Sequence, residues 1–174
     1  MESELVQAAK TDIKAFGELY KLYFPKIYSY VLAILRSHEQ AEDVVSQTFE
    51  RALDKIHLYE DRGYSFGAWL YRIAHNFCID NLRSGNKLTP FDDNFVLNTG
   101  SDSTSRNAEE QILQEQLWTN IARLDQSARQ IIILRYIEGY SIKEVAYTLN
   151  KTEDAIKSTA KRALALLRLQ MQTE

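Results

Sequence analysis

Apolar residues recur at helical spacing along almost the whole chain, and capping residues cut the pattern into segments. A short run over 3–9 comes first. Thr11 then stands as N-cap to a stripe of Ile13, Phe16, Leu19, Tyr20 and Tyr23, and Pro25 reads as a break or as the first turn of a new helix carrying Ile27, Val31, Ile34 and Leu35. Tyr20, Tyr23, Tyr28 and Tyr30 fall in or beside the core with their hydroxyls reaching water. Ser37 and Gln40 have capping-box spacing and open a helix to about residue 57. Its inward face is Ala41, Val44, Val45, Phe49, Ala52, Leu53 and Ile56; its outward face, Glu42, Asp43, Ser46, Gln47, Glu50 and Asp54, is acidic and amide-rich. A polar loop over 59–65 leads to Ser65, which caps a helix to about residue 83. Phe66, Trp69, Leu70, Ile73 and Phe77 are its apolar side, and Arg72, His75, Asn76 and Arg83 occupy other faces.

Over 84–108 the periodicity stops in a stretch rich in Ser, Asn, Asp, Thr and Gly, too poor in apolar residues to pack alone. Helical spacing returns with Ile112, Leu113, Leu117 and Ile121, and Asp125 caps a helix over 126–138 with Gly139 at its C′ position. Ser141 and Glu144 form a second capping box ahead of Ile142, Val145, Ala146 and Leu149. Asn150-Lys151 suits a tight turn, and Thr152 caps a further helix with Glu153 and Asp154 in its first turn. Short capped helix, turn and longer helix make a helix-turn-helix. The longer helix packs through Ile156, Ala160, Ala163, Leu164 and Leu167. It carries Lys157, Ser158, Lys161, Arg162 and Arg168 elsewhere, with no acid between Asp154 and Glu174. A helix lying in a major groove needs one packed side and one side of cations and hydroxyls.

The predicted fold is all-α: two small helical domains, 10–83 and 109–174, joined by a flexible polar linker, 84–108. Two prolines and six glycines in 174 residues agree with it. A net charge of -3 excludes a protein that coats nucleic acid non-specifically, so any DNA contact rests on local basic patches. The single Cys78 excludes an internal disulfide and fits a reducing cytoplasm. The acidic start MESEL lacks the basic and apolar regions of a signal peptide, and no apolar run reaches membrane-spanning length, so a cytoplasmic location without membrane insertion is expected. His38, His57 and His75 are too scattered for a metal site, and no cofactor is indicated. Aromatics at the loop–helix junction beside Arg62, Arg72 and Asn76 supply what holding an unstacked base requires: a π-surface, a cation and an amide. Trp69 is equally readable as core.

The blocks AEDVVSQTFERAL (41–53), YEDRGYSFGAWLYRIAHNFCIDNLRS (59–84) and LDQSARQIIILRYIEGYSIKEVAYTLNKTEDAIKSTAKRALALLR (124–168) closely resemble a bacterial sigma factor of the extracytoplasmic-function group of the sigma-70 family. The resemblance covers about 12–83 and 109–170, and two blocks in order at the right distance are more specific than either alone. It implies a protein without catalysis of its own that binds core RNA polymerase and directs promoter-specific initiation. The first domain would be sigma region 2 and the second sigma region 4. By resemblance, Asp43, Gln47 and Glu50 face the coiled coil of the polymerase β′ clamp. Arg62, Tyr64, Phe66, Trp69, Arg72, Asn76 and Arg83 are candidates for melting and reading the -10 element. Thr152, Lys157, Ser158, Lys161 and Arg162 are candidates for the -35 element. The implied partners are core polymerase (β′ clamp and β subunit), promoter DNA and an anti-sigma factor, with association to the nucleoid in the holoenzyme. Thr159 stands where many members carry arginine, and His75, Asn76 and Asp80 make region 2.4 less basic than usual, so promoter binding without core polymerase is expected to be weak.

Two other readings are distinct in kind. A stand-alone helix-turn-helix regulator explains residues 141–168 but leaves the block 62–83 idle. A thiol hydrolase using Cys78 and His75, three apart on one helix, lacks a Gly-rich oxyanion turn and an orienting third group.

Overall fold

The computed structural model describes residues 2–85 and 108–172, which hold eight α-helices and no strand. Most of the predicted linker therefore lies outside the described residues. The first unit comprises α1 (Glu2–Ala9), α2 (Ile13–Leu35), α3 (His38–Lys55) and α4 (Phe66–Arg83); the second comprises α5 (Ala108–Arg123), α6 (Gln126–Ile132), α7 (Ile142–Leu149) and α8 (Glu153–Gln172). The helix that organises the first unit is α2, whose C-terminal half, from Ile27 through Tyr30 to Leu35, is almost wholly buried. Buried apolar stripes of α1, α3 and α4 close around it. Ile156, Ala160, Ala163 and Leu167 seat α8 in the second unit, as its stripe predicts.

Several boundaries differ from the pattern reading. The N-cap of α2 is Asp12, which accepts from the Lys14 amide at 2.8 Å, rather than Thr11; a carboxylate at that position also suits the helix dipole. The helix runs through Pro25 without a break, because the burial on either side of it outweighs one lost backbone bond. Ser37 does cap α3, but Gln40 Oε1 is buried without a partner, so the box is only half made. Leu53 is 40% exposed, and Ile112 and Leu113 are 56% and 55% exposed; their stripes are wider than the surfaces that cover them. The predicted helix over 126–138 begins as α6 and then widens into a π turn over Ile133–Ile137, where the Glu138 amide donates to Ile133 O at 2.9 Å. Gly139 follows at φ +80°, and Arg135 Nη1 donates to Tyr140 O at 2.8 Å, fixing where Tyr140 points.

The two units are not held apart. Buried Arg129 of α6 donates through Nη1 to Ala33 O at 2.8 Å, and through Nη2 to Ala122 O at 2.9 Å and Leu124 O at 2.7 Å. Ala33 and Ala122 lie in the last turns of α2 and α5, whose carbonyls have no partner along the helix and sit at the negative end of the dipole. Arg36 adds a bond to Ala122 O at 2.8 Å. One guanidinium thus joins the C-termini of helices from both units. At the other end Glu144 of α7 bonds the N-terminus of α4, and Lys26 of α2 pairs with Glu138 at 3.6 Å.

Replacing Arg129 by Met, which is similar in length but cannot donate, leaves the Ala33 and Leu124 carbonyls unpaired, while Ala122 O keeps its bond from Arg36. Urea unfolding should show a loss of about 3 kcal/mol. Arg129→Lys should recover little of it, since an ammonium cannot reproduce the planar fork. A loss well under about 1 kcal/mol in Arg129→Met would mean that water replaces the bonds.

Candidate functional site

Three surfaces carry the residues singled out by sequence. On α3, Asp43, Gln47 and Glu50 are exposed along one side with Glu42 and Ser46, while Ala41, Val44, Val45, Thr48, Phe49 and Ala52 are buried on the other. Spacings of three and four residues align the strip, and its heads are free to meet a basic partner. On α8, Lys157, Ser158, Lys161 and Arg162 are exposed. Thr152 accepts from the Ala155 amide at 3.2 Å as N-cap, and Lys157 sits 3.8 Å from Asp154. The hydroxyl of Thr152 is thereby committed to the helix end.

The third surface is the loop over 59–65 and the start of α4, and here the structure rearranges the expectation. Arg62 is exposed and forks onto Glu60 through Nε at 3.1 Å and Nη2 at 2.9 Å. Phe66, by resemblance a candidate for melting and reading the -10 element, is only 4% exposed: it packs edge-on against Tyr23 and Tyr59 as part of the core, because the first inward position of α4 points into the bundle. Trp69 is half-buried against Tyr59 and Phe66. Asn76 and Arg83 are exposed on one wall of a polar cleft of about 690 Å³, whose other wall is Gln126, Ser127, Asn150 and Lys151 of the second unit.

Tyr64 and Arg72 converge on a residue that the sequence reading passed over. The ring of Tyr64 stacks on Tyr147 of α7 with centroids 4.0 Å apart and planes 14° from parallel. The Arg72 guanidinium lies 4.3 Å from the centre of the same Tyr147 ring. Two groups this close cannot share one face of a ring, so Tyr147 is sandwiched; Lys143 Nζ, 4.9 Å from the Tyr64 ring, completes the layer. Tyr147 lies off the apolar stripe of α7, three and four residues from Glu144 and Lys143, and an aromatic ring at that polar position was the available signal.

Next to this stack, Glu144 closes two helix ends at once. Its Oε2 accepts from Ser141 N at 3.0 Å and Ser141 Oγ at 2.8 Å, the capping box that the sequence predicts. Its Oε1 accepts from Ser65 N at 3.2 Å and Ser65 Oγ at 2.6 Å, at the N-cap of α4. Burial alone would raise its pKa, but these bonds prevail and hold the carboxyl below its ordinary value. Thr148 Oγ1 donates to Ala68 O at 3.1 Å one turn further on. The side chain of Tyr140 enters the same seam against Gly67, where a Cβ would overlap its hydroxyl.

Matches to described families run in the same order as these surfaces. Residues 19–88 match sigma-70 region 2, and residues 114–167 match sigma-70 region 4. The sigma factor SigX of Bacillus subtilis, an extracytoplasmic-function RNA polymerase sigma factor, is 31% identical over 169 residues, covering 91% of this chain and 84% of that protein. The corresponding factor BldN of Streptomyces coelicolor is 32% identical over 169 residues, covering 94% of this chain, which spans 63% of its length. The chain belongs to the extracytoplasmic-function group of sigma-70 RNA polymerase sigma factors. Two solved structures share the fold of this sigma factor. CnrH in complex with the cytosolic domain of CnrY has a TM-score of 0.66 at 24% identity, covering 98% of this chain and 96% of that one. RpoE in complex with the anti-sigma factor NepR from Bartonella quintana has a TM-score of 0.69 at 20% identity, covering 92% and 99%.

The residues that suggested thiol chemistry in the sigma factor are unsuited to it. Cys78 is fully buried and its thiol pKa is driven upward, away from thiolate. His75 is buried, and desolvation, with Lys151 and Arg72 nearby, lowers its pKa to about 4. Its Nδ1 lies 3.3 Å from Gln130 Nε2 and 3.5 Å from Tyr30 Oη, so a neutral ring accepting at Nδ1 fits the site. Among the described residues no helix is long and apolar enough to cross a membrane.

Because the folded pKa of His75 lies below its unfolded value of 6.5, the unfolded chain binds a proton between pH 6.5 and about 4 that the folded chain refuses. Stability should therefore fall on acidification through that window, by up to about 1.4 kcal/mol per pH unit. The depressed carboxyl of Glu144 adds its own loss only at lower pH, as it protonates. Urea midpoints across the window should flatten in His75→Gln; an unchanged slope would assign the acid sensitivity to other groups.

Proposed function

We propose that this sigma factor docks on core RNA polymerase through the α3 strip and directs initiation at promoters with -10 and -35 elements. The loop over 59–65 and α4 take the melted -10 strand, and the outer face of α8 reads the -35 element. The observation that carries the reading is the pairing of the two family segments, in order, with three separate surfaces of the required chemistry. Asp43, Gln47 and Glu50 offer negative and amide groups to a basic coiled coil on the β′ clamp, with further contacts to the β subunit. Arg62, Tyr64, Trp69, Arg72, Asn76 and Arg83 combine cations, an amide and π-surface around one helix start; Phe66 supports them from the core. Lys157, Ser158, Lys161 and Arg162 are spaced to meet phosphates and base edges in a major groove, with Thr152 fixing the helix that carries them.

Strand capture needs no covalent step from the protein. Unstacking costs a few kcal/mol per base step, and each base held against an aromatic ring returns about 1–3 kcal/mol. Specificity is what this sigma factor adds to a catalyst that resides in the polymerase. The solved relatives captured with CnrY and with an anti-sigma factor support an anti-sigma partner for this chain as well. A reducing cytoplasm, with nucleoid association in the holoenzyme, is the compartment in which these partners meet. A stand-alone helix-turn-helix regulator would use residues 114–167 and leave the region 2 match without a role.

Run-off transcription with purified core polymerase on a promoter library tests the reading: specific starts sharing a two-part upstream motif, absent without the protein, are expected. Core binding without specific starts, or no core binding by the folded protein, would overturn it.

Two sets of variants should separate the surfaces. Asp43→Lys and Gln47→Ala should weaken core binding while the helical signal stays intact, because neither side chain is on the packed face. Normal core affinity in both would remove the docking assignment. Lys161→Ala with Arg162→Ala should spare core binding and impair -35 recognition, each lost phosphate contact reducing the salt dependence by about one unit of slope. Unchanged promoter binding in that pair would rule out the recognition-helix assignment.

A further inference from the structure

The sandwich around Tyr147 has the geometry by which proteins hold a base taken out of its stack: a planar ring between an aromatic face and a guanidinium. Tyr64 and Arg72, which form the two sides, lie in the segment matched by region 2; Tyr147, the filling, comes from the segment matched by region 4. Glu144 precedes Tyr147 by three residues and so projects from the same side of α7. Its carboxylate sits at the N-terminus of α4, on Ser65 N and Ser65 Oγ, where the dipole and a free amide favour an anion such as a phosphate. One turn of α7 therefore presents an anion and a flat ring side by side, the two features by which a nucleotide in single-stranded DNA would be held on this surface.

We propose that α7 is a built-in nucleotide mimic: in the free protein Glu144 takes the place of a backbone phosphate and Tyr147 that of an unstacked base. The helix-turn-helix unit thereby closes the strand-capturing surface of the first unit. This rests on the reading of α4 as the -10 surface, and it assigns that surface an occupant and a competitor. The closure is shaped to be specific. Gly67 leaves the space that Tyr140 enters, Thr148 bonds Ala68 O, and Arg129 ties the second unit to the end of α2. Single-stranded DNA and α7 cannot occupy Tyr64 and Arg72 together, so DNA capture requires the units to part.

The test uses the full chain, without polymerase, and a fluorescent pool of randomised single-stranded DNA. Wild type should bind the pool weakly and scatter X-rays as a compact particle. Glu144→Ala with Tyr147→Ala removes both mimicking groups while Ser141 Oγ can still cap α7 through the residue 144 amide. This variant should show a larger radius of gyration and bind the pool about tenfold more tightly or better, the scale of one captured base. Adding Arg72→Ala should abolish the gain. Gly67→Ala, which obstructs Tyr140 from the other side of the seam, should open the particle and raise binding in the same direction, and it stands in if the double variant does not fold. An expanded particle with no gain in DNA binding overturns the mimicry, and so does a variant that remains as compact as wild type with unchanged binding. Run-off transcription by the same variants with core polymerase separates the two readings: specific starts together with no gain in free DNA binding would sink the mimic and leave the sigma function standing.

Discussion

A helix end cannot be buried with its polar groups unpaired, and the places where the two units of this sigma factor meet are helix ends. The first amides and last carbonyls of each helix lack partners along the chain, and the dipole gives the two ends opposite partial charge. Here the C-termini of α2 and α5 share the cation of Arg129, and the N-termini of α4 and α7 share the anion of Glu144. Each side chain settles a requirement internal to one unit and, with the same head group, one in the other. Arg129 and Glu144 are thus complementary to helix ends rather than to each other. Removing either leaves backbone groups unpaired in both units, which is why the seam is tied to the folding of each.

Between those two clamps the contact is aromatic and largely buried. Tyr30 of α2 meets Tyr71 of α4 edge-on at 5.1 Å, and Tyr71 meets Tyr140 edge-on at 5.4 Å, so a relay of rings runs from the core of the first unit to the loop of the second. Burial raises the pKa of all three phenols, which keeps them neutral throughout the accessible pH range. Tyr140 owes its position to the π turn over Ile133–Ile137, which lets Arg135 hold its carbonyl. The same Arg129 bond that satisfies α2 fixes α6, and α6 leads directly into that turn.

The local half of this design was legible in the sequence and the long-range half was not. Ser141 and Glu144 are three residues apart, so their capping box could be read from spacing; the bonds from Glu144 to Ser65 join positions 79 apart and have no sequence signature. Asn150 was readable as a left-handed turn residue and adopts φ 52°, since its short amide tolerates that backbone. The stripe of α8 was legible because its period matches one buried face. Phe66 carried two readings, the apolar side of its helix by periodicity and a -10 candidate by resemblance, and its burial bears out the first. Periodicity tells which side of a helix is apolar, not whether a partner covers it: Ile112 and Leu113 are apolar at helical spacing with nothing over them among the described residues. Pro25 misled because a local rule about one lost backbone bond competes with a buried face on both sides of it. Tyr147 was missed because its partners Tyr64 and Arg72 belong to the other unit, 83 and 75 positions away, and leave no local pattern.

The closed arrangement does not cover the three functional surfaces equally, and the inequality orders their use. The α3 strip and the cations of α8 are exposed while Tyr64 and Arg72 are occupied by Tyr147. On the proposed roles, a partner reading Asp43, Gln47 and Glu50 finds its surface ready, whereas a DNA strand does not. Docking on polymerase can then precede strand capture, and the stacking energy released by Tyr147 is exchanged for that of a base. Because one ring replaces another in the same sandwich, the exchange is close to balanced, with the outcome set by whatever holds the units apart. A chain with net charge -3 and few cations around α4 gains selectivity from this balance, since single-stranded nucleic acid met away from the polymerase must displace a group already in place.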